Sequence, residues 1–302
     1  MNKYLISILY TLLIFILTIA VFDYFLYFKE YIKCKDAPFF KALRYYNVIR
    51  PDFSMKNIDF NILRKPCGLQ YKKSPILIYG CSFAFGNGDT DHLGYYLSKL
   101  TKRPVYNYSI GAKGLQHSLY LLEHQKPVKP QPECIIYVYI QDQIRRMYLD
   151  AWILDYFSFY GHYLQNEKLI EKKEKFKIIK YLKNTCIYYY LKNHYFWNHI
   201  PDKERYQLFF AYIQAMKKEI DKKYPKTKFI FIIYDIKNYN YLYLSKERVQ
   251  QIKNLGIEVI ILDDIFDNKL YTKEYQRSET DPHPNTKAWQ MIAPEIVKLE
   301  KL

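Results

Sequence analysis

Residues 76–86 have the sequence ILIYGCSFAFG, an apolar run that ends at a glycine and leads into a short turn containing Ser82. Uninterrupted β-branched and aromatic residues over this length are typical of a strand buried on both faces, as in parallel sheets. Four further runs have the same character: Val105–Tyr108, Cys134–Ile140, Phe229–Tyr234 and Ile257–Leu262. The sequence therefore predicts a parallel sheet of about five strands.

Helical patterns lie between these runs and after the last of them. They cover Asp91–Lys102, Leu115–His124, Lys203–Lys223, Ser245–Leu255 and Asn285–Leu299. Strands and helices in alternation are typical of a doubly wound α/β sheet with helices on both faces. One insertion, at about residues 147–200, separates the third and fourth strands. We expect a helical, solvated excursion there, with a cap over a site as the alternative.

Three segments are predicted along the chain: an N-terminal anchor at 1–28, a connecting segment at 29–74 and an α/β domain at 75–302. The 18 residues from Leu5 to Phe22 carry no charge, which is enough to cross a bilayer as a helix. A cleaved signal peptide is the alternative, but Thr18-Ile19-Ala20 is a weak cleavage site. We therefore expect a single-pass transmembrane helix. Lysines lie on both sides of this span, so the charges alone leave its orientation open.

Composition limits the classes of function. The 302 residues include 46 Lys and Arg against 30 Asp and Glu, a net charge of +16 that would attract anionic glycans, lipid headgroups or nucleic acid. Most of these cations are lysines spread along the whole chain, so a nucleic-acid partner is not expected. The five cysteines are scattered and odd in number, which argues against a disulfide scaffold. No metal or cofactor is predicted.

Polar residues follow the predicted strands where a parallel sheet places its sites, at the carboxyl ends. Ser82 follows the first strand, Gly111 and Gly114 follow the second, and Gln141 follows the third. Ser82 could be a nucleophile or an ordinary turn residue, and the glycines could expose N–H groups or only form a tight turn. Gln141 could donate from its amide or be a polar loop residue.

The last motif is Asp281-Pro282-His283-Pro284-Asn285, a proline-restricted loop directly before the final helix. Asp281 could accept the Nδ1 proton of His283 and leave Nε2 facing a nucleophile. The alternative is a turn with Asn285 as the helix N-cap, which explains Asn285 without requiring His283.

The order Ser82, glycine, Gln141, then Asp281 and His283 resembles the SGNH/GDSL hydrolase superfamily. The tail DPHPNTKAWQMIAPEI is similar to the ending of that family, with Ala288 in the usual glycine position. Cys81 replaces the Asp of the GDS triplet, and Gln141 replaces the Asn of the third block. The resemblance implies a flavodoxin-like, three-layer α/β/α sandwich. It also implies a catalytic triad of Ser82, His283 and Asp281.

The same resemblance implies an oxyanion hole formed by the Ser82 N–H, a Gly111 or Gly114 N–H and the Gln141 amide. It further implies a serine esterase or O-acyltransferase acting on acetyl esters of cell-envelope carbohydrate. A membrane-tethered enzyme of this kind would sit in the inner membrane with its domain on the periplasmic side. The alternative is a catalytically inactive module that binds glycan or assembles with an envelope complex.

Overall fold

A computed structural model describes the chain in segments. The described residues are 11–12, 14–18, 21, 67–68, 71–86, 91–111, 114–148, 162–165, 168–171, 200–234, 244–267, 269–279 and 281–302. Most of the predicted anchor at 1–28 and of the connecting segment at 29–74 therefore lies outside them. Within the described part of the chain, no helix is both long and apolar enough to span a bilayer.

Five parallel strands form the central sheet: β1 Ile76–Gly80, β2 Val105–Asn107, β3 Cys134–Tyr139, β6 Lys228–Ile233 and β7 Glu258–Ile261. Their order in the sheet is β2-β1-β3-β6-β7. Each coincides with a predicted strand to within one or two residues. Ile76 and Ile78 pack into the core on one face, and Leu77 and Tyr79 into the core on the other. Burial on both faces explains why the strands are apolar throughout.

Helices cover both faces of the sheet, which confirms the predicted α/β sandwich. Their bounds are α1 Ser82–Phe85, α2 Leu93–Thr101, α3 Leu115–His124, α4 Asp142–Tyr148, α5 Asp202–Lys223, α6 Lys246–Asn254, α7 Leu262–Phe266 and α8 Thr286–Glu300. On one face α2 contacts α8, and on the other α3 contacts α5. Each large side chain buried here contributes roughly 1.5–3 kcal/mol relative to exposure.

Two short antiparallel pairs lie outside the central sheet. Strands β4 (His162–Gln165) and β5 (Lys168–Glu171) form a hairpin whose Leu164 and Leu169 pack on the core beside α5. Residues 162–165 and 168–171 of the 147–200 insertion therefore form a β-hairpin and not the predicted helix, and their Leu164 and Leu169 pack on the domain. The rest of the insertion from 149 to 199 lies outside the described residues.

The second pair corrects the predicted loop before the last helix. Strand β8 (Gln276–Ser278) pairs with β9 (Asp281–Pro284), with a register shift in between. Pro282 and Pro284 led us to predict a loop. They are tolerated in β9 because a two-stranded ribbon has outer edges where no N–H donor is needed. The pairing fixes the backbone that carries Asp281 and His283.

Part of the predicted connecting segment contacts the domain. Cys67 forms an antiparallel bridge to Val105, the first residue of the edge strand β2. Its N–H donates to the Val105 carbonyl over 3.1 Å, and its carbonyl accepts from the Val105 N–H over 2.9 Å. Among the described residues, Cys67, Cys81 and Cys134 form no disulfide.

Candidate active site

The turn after β1 presents Ser82 at the carboxyl edge of the sheet. Gly80 has a φ of +152°, and a Cβ there would lie 2.9 Å from the Val138 carbonyl oxygen of the neighbouring strand. Only glycine fits this backbone without strain. The Cys81 carbonyl then accepts from the N–H groups of Ala84 and Phe85, each over 3.0 Å, which closes the single turn of α1. Ser82 is the first residue of that turn.

The imidazole of His283 lies against the Ser82 hydroxyl although 201 positions separate the two residues. The distance from His283 Nε2 to Ser82 Oγ is 2.6 Å. On the other side of the ring, His283 Nδ1 is hydrogen-bonded to Asp281 Oδ1. Serine, histidine and aspartate thus form one continuous chain of hydrogen bonds, in the arrangement used for nucleophilic catalysis.

Strand β9 fixes the acid and the base relative to one another. The backbone N–H of His283 donates to Asp281 Oδ1 over 3.1 Å, so the carboxylate holds both the ring and the main chain of the histidine. The Asp281 N–H donates to Ser278 Oγ over 3.0 Å, which ties β9 back to β8. These hydrogen bonds hold the carboxylate of Asp281 against the ring of His283, although only Pro282 separates the two residues.

The charge of Asp281 is stabilised in the folded chain. Partial burial by itself raises the pKa of this carboxyl group, but hydrogen bonds and charge from His283, helped by the charge of Arg277, outweigh burial. The net effect lowers the pKa of Asp281 below its ordinary value. The group is therefore ionised at neutral pH and can stabilise an imidazolium on His283.

An aromatic wall packs against the imidazole, and the sequence patterns gave no signal for it. The Phe83 ring lies 4.5 Å from the His283 ring, with 33° between their planes. The Phe83 ring also makes an edge-to-face contact, at 5.2 Å, with Tyr234, which directly follows β6. Both aromatic residues are buried, so they limit the rotation of His283.

The chain leaving β2 runs beside the serine turn. Tyr108 N–H donates to the Ile78 carbonyl over 2.7 Å and Ile110 N–H to the Gly80 carbonyl over 3.2 Å. These bonds continue the parallel pairing up to the end of β1 and bring Gly111 alongside it. There is open space where a Gly111 side chain would lie.

Gly114 has a different environment from Gly111. It is the N-cap residue of α3, and its N–H donates to His117 Nδ1 over 3.4 Å. That donor is engaged within the cap of its own helix. Of the two candidate glycines, Gly111 is the one whose surroundings suit an oxyanion donor.

Gln141 lies at the carboxyl end of β3, the central neighbour of β1. The register pairs Gly80 with Val138, so Gln141 is three residues beyond the partner of Gly80. It is buried, and its carbonyl accepts from Ile144 N–H over 3.1 Å at the start of α4. The neighbouring Asp142 forms an ion pair with Arg146 at 2.7 Å, which stiffens the same turn.

Asn107 is hydrogen-bonded to the serine turn, a role that the sequence motifs did not predict. Its Nδ2 donates to the Ala84 carbonyl of α1 over 2.9 Å, and its Oδ1 accepts from Ser109 N–H over 3.1 Å. His92 lies on the same amide, with Nδ1 at 3.4 Å from Nδ2. All of these groups are buried, so Asn107 connects the turn that carries Ser82 to the loop that carries Gly111.

The final helix begins as predicted. Asn285 Oδ1 accepts from Ala288 N–H over 3.1 Å, which makes Asn285 the N-cap of α8. Its Nδ2 also donates to the carbonyls of Glu274 and Gln276, over 2.7 and 2.9 Å. Ala288 is fully buried. Across the described residues, no group of three or more His, Cys, Asp or Glu side chains is arranged to hold a metal ion.

Comparisons with known proteins give structural likenesses only. No protein-family model and no curated protein sequence matches the chain. A protein described as lipolytic and of the G-D-S-L family, from Desulfitobacterium hafniense DCB-2, is 12% identical with a TM-score of 0.46. The likeness covers 75% of this chain and 99% of that one.

Two carbohydrate-active enzymes are also similar. An acetyl xylan esterase from Butyrivibrio proteoclasticus is 13% identical with a TM-score of 0.42, over 76% of this chain and 63% of that one. A family two carbohydrate esterase from Cellvibrio japonicus is 14% identical with a TM-score of 0.42, over 76% of this chain and 62% of that one. This chain therefore spans less than two thirds of either esterase. In its motifs the chain resembles the SGNH/GDSL hydrolase superfamily, and the solved structures that it is similar to include a protein described as of the G-D-S-L family.

Proposed function

We propose that this chain is a serine-dependent ester hydrolase of the SGNH/GDSL type. The observation that carries the proposal is the hydrogen bond between Ser82 Oγ and His283 Nε2 at 2.6 Å, on an imidazole held by Asp281. A serine hydroxyl is a weak nucleophile unless a base is within hydrogen-bonding distance of it. Here the base is in place and its tautomer is set by the carboxylate.

The first chemical step follows from this geometry. The Ser82 hydroxyl donates its proton to His283 Nε2 as Oγ attacks the ester carbonyl carbon, and Asp281 stabilises the resulting imidazolium. Collapse of the tetrahedral intermediate transfers that proton to the leaving alcohol. The acyl group then remains on Ser82 Oγ until an acceptor attacks it with His283 as the base.

For the negative oxygen that develops during attack we propose three donors: the Ser82 N–H, the Gly111 N–H and the Gln141 amide. The N–H of Ser82 belongs to the first turn of α1, where N–H groups lack intrahelical acceptors. Gly111 follows Ile110, whose N–H donates to the Gly80 carbonyl at the end of β1, and Gln141 lies two residues after β3. Removing one donor of this kind typically costs about 10²–10³ in turnover.

For the substrate we propose acetyl esters of cell-envelope carbohydrate, with water or a sugar hydroxyl as the acceptor. The support is the resemblance of an anchored SGNH domain to bacterial enzymes that add or remove O-acetyl groups on envelope polysaccharides. The same resemblance supports a single-pass protein of the inner membrane with its domain on the periplasmic side. Hydrolysis and acyl transfer use the same three residues and differ only in the acceptor.

The test uses the full chain in detergent with a chromogenic acetyl ester, with and without an unacetylated sugar acceptor. We expect ester cleavage that Ser82→Ala abolishes. Ser245→Ala is the control, because Ser245 is an N-cap serine on α6 and takes no part in the chemistry. A new acetyl sugar would identify a transferase, and release of acetate alone a hydrolase. A folded parent protein without ester cleavage would favour the glycan-binding alternative.

A further inference from the structure

Positive charge is concentrated at the amino edge of the central sheet, the edge opposite Ser82. Thirteen exposed lysines lie there, in the loops that lead into the strands and in the last turns of the helices. We call them the basic edge: Lys72, Lys73, Lys99, Lys102, Lys126, Lys129, Lys218, Lys222, Lys226, Lys228, Lys253, Lys298 and Lys301. Within the described ranges, the exposed carboxylates at the same edge are three: Glu123, Asp221 and Glu258.

Hydrogen bonds between these loops join them into one surface. The Glu133 N–H donates to the Pro75 carbonyl over 2.8 Å, and the Thr227 hydroxyl donates to the Pro132 carbonyl over 2.7 Å. The segments before β1, β3 and β6 are therefore in direct contact, and their lysines share one face.

Lysine side chains also bind across helix ends on this surface. Lys73 Nζ donates to the Thr101 carbonyl at the end of α2 over 3.2 Å, and Lys228 Nζ to the Glu300 carbonyl at the end of α8 over 3.1 Å. The half-buried cationic and anionic side chains at this edge are nearly equal in number. Arg103 and Glu133, for example, form an ion pair at 3.1 Å. The excess positive charge thus comes from the exposed lysines.

The carboxyl edge has the opposite balance. Of the residues that the structure describes there, the exposed lysines are five: Lys203, Lys246, Lys269, Lys273 and Lys287. The exposed carboxylates among the same residues are seven: Asp202, Glu204, Glu247, Asp264, Asp267, Glu274 and Glu279. Among the described residues, the excess of exposed positive charge therefore lies at the edge of the sheet opposite the candidate site.

We propose that the basic edge docks on an anionic lipid surface. Each lysine that lies within a Debye length of such a surface strengthens association with it about fivefold, and thirteen lysines share this face. The chain enters the domain at this same edge, since residues 71–75 lead directly into β1. The predicted apolar span at residues 5–22 is therefore connected to the face that would meet the bilayer.

The chemistry of the edge favours lipid headgroups over nucleic acid. Its exposed cations are all lysines, which act as point charges on dispersed headgroups, whereas guanidinium groups suit bidentate recognition of phosphates and bases. Arg103, the arginine of this edge, is engaged with Glu133. Docking through this edge turns Ser82 and His283 away from the bilayer and toward carbohydrate beyond it. The inference concerns the charges and stands whether or not the site is an esterase.

The experiment measures lysine modification on the full chain reconstituted into vesicles. A membrane-impermeant acylating reagent is applied to protein in phosphatidylcholine alone, and in phosphatidylcholine with about 30% phosphatidylglycerol. Mass spectrometry then gives the rate at each lysine. We expect modification of Lys126, Lys129 and Lys226 to slow at least threefold in the anionic vesicles. The rates at Lys246 and Lys273 should not change, and salt at about 0.5 M should remove the difference.

Matched variants separate position from total charge. A triple replacement, Lys126→Glu, Lys129→Glu and Lys226→Glu, should abolish the protection of the remaining lysines of the basic edge. The control triple Lys203→Glu, Lys246→Glu and Lys273→Glu changes the net charge equally and should retain it. Equal rates in both vesicle types would overturn the proposal. So would protection by double-stranded DNA or a soluble anionic polysaccharide but not by anionic vesicles.

Discussion

Replacing Asn107 by leucine should uncouple the serine turn from the loop beside it. The buried Asn107 amide satisfies the Ala84 carbonyl over 2.9 Å and the Ser109 N–H over 3.1 Å. Leucine has a similar volume but bonds neither group, and each buried group left without a partner costs about 1–3 kcal/mol. We therefore expect the free energy of unfolding to fall by about 3 kcal/mol, near the lower middle of the range for two such groups.

Activity should fall further than stability explains. Helix α1 is one turn long and contains both Ser82 and Ala84. Because the Asn107 amide restrains this turn through the Ala84 carbonyl, losing that hydrogen bond lets Ser82 shift relative to His283. We expect kcat on a chromogenic ester to drop at least about tenfold with KM little changed, because misplaced reacting groups lower the rate of attack.

The assay combines urea denaturation with steady-state kinetics at a temperature where the variant is folded. Asn254→Leu is the control, because Asn254 is exposed and its side chain accepts a hydrogen bond from the exposed Gln250 side chain over 2.8 Å. That variant should lose less than about 0.5 kcal/mol and keep its kcat. A stable Asn107→Leu protein with the kcat of the parent would refute the role given to Asn107.

Three further predictions address the acid, the turn and the far end of the sheet. Asp281→Asn should keep the fold but lower kcat about 10³–10⁴-fold, measured on the same ester, because the amide no longer sets the tautomer of His283; a parental kcat would contradict this. Gly80→Ala should cost at least about 1–3 kcal/mol in urea denaturation, since alanine is strained at a φ of +152° and its Cβ would meet the Val138 carbonyl; unchanged stability would show that the turn relaxes freely. Burial, together with Glu258, raises the pKa of Glu300 to about 7, so its protonated form stabilises the fold at low pH and that stability is lost as the pH rises from about 4.5 through 7. Glu300→Gln should remove about 1–2 kcal/mol of this pH dependence in denaturation curves, since solvent and Lys228 weaken the effect, and an identical pH profile would contradict it.

The sheet was predictable because each strand is apolar on both faces. Leu115–His124 was predicted as a helix with the bounds that α3 has in the structure, and the five strands shifted by only one or two residues. Local pattern suffices in these elements because burial and helical period both act within a few residues.

Contacts between distant residues were harder to predict. Ser82 follows the first predicted strand and His283 comes after the fifth, so both were expected at the carboxyl edge of the sheet. The family resemblance supplied the order of the motifs. Nothing local shows that the Asn107 amide reaches the Ala84 carbonyl, or that Phe83 packs on His283. Gly114 and Gly111 look alike in sequence, and only the hydrogen bond to His117 distinguishes them.

The charge distribution is a further property that the sequence conceals. The lysines look evenly spread along the chain, yet many of them precede a strand or end a helix. A parallel sheet places all of those positions at one edge. The fold therefore converts a dispersed pattern into a polarised surface.

Covalent labelling would show whether the Ser82 hydroxyl is an activated nucleophile. The full chain would be treated with a fluorophosphonate, which reacts with a serine hydroxyl only when an adjacent base activates it, and the modified residue located by mass spectrometry. We predict a single adduct on Ser82 that His283→Ala prevents. A folded protein that gives no adduct, or one on another serine, would contradict the assignment of Ser82 as the nucleophile.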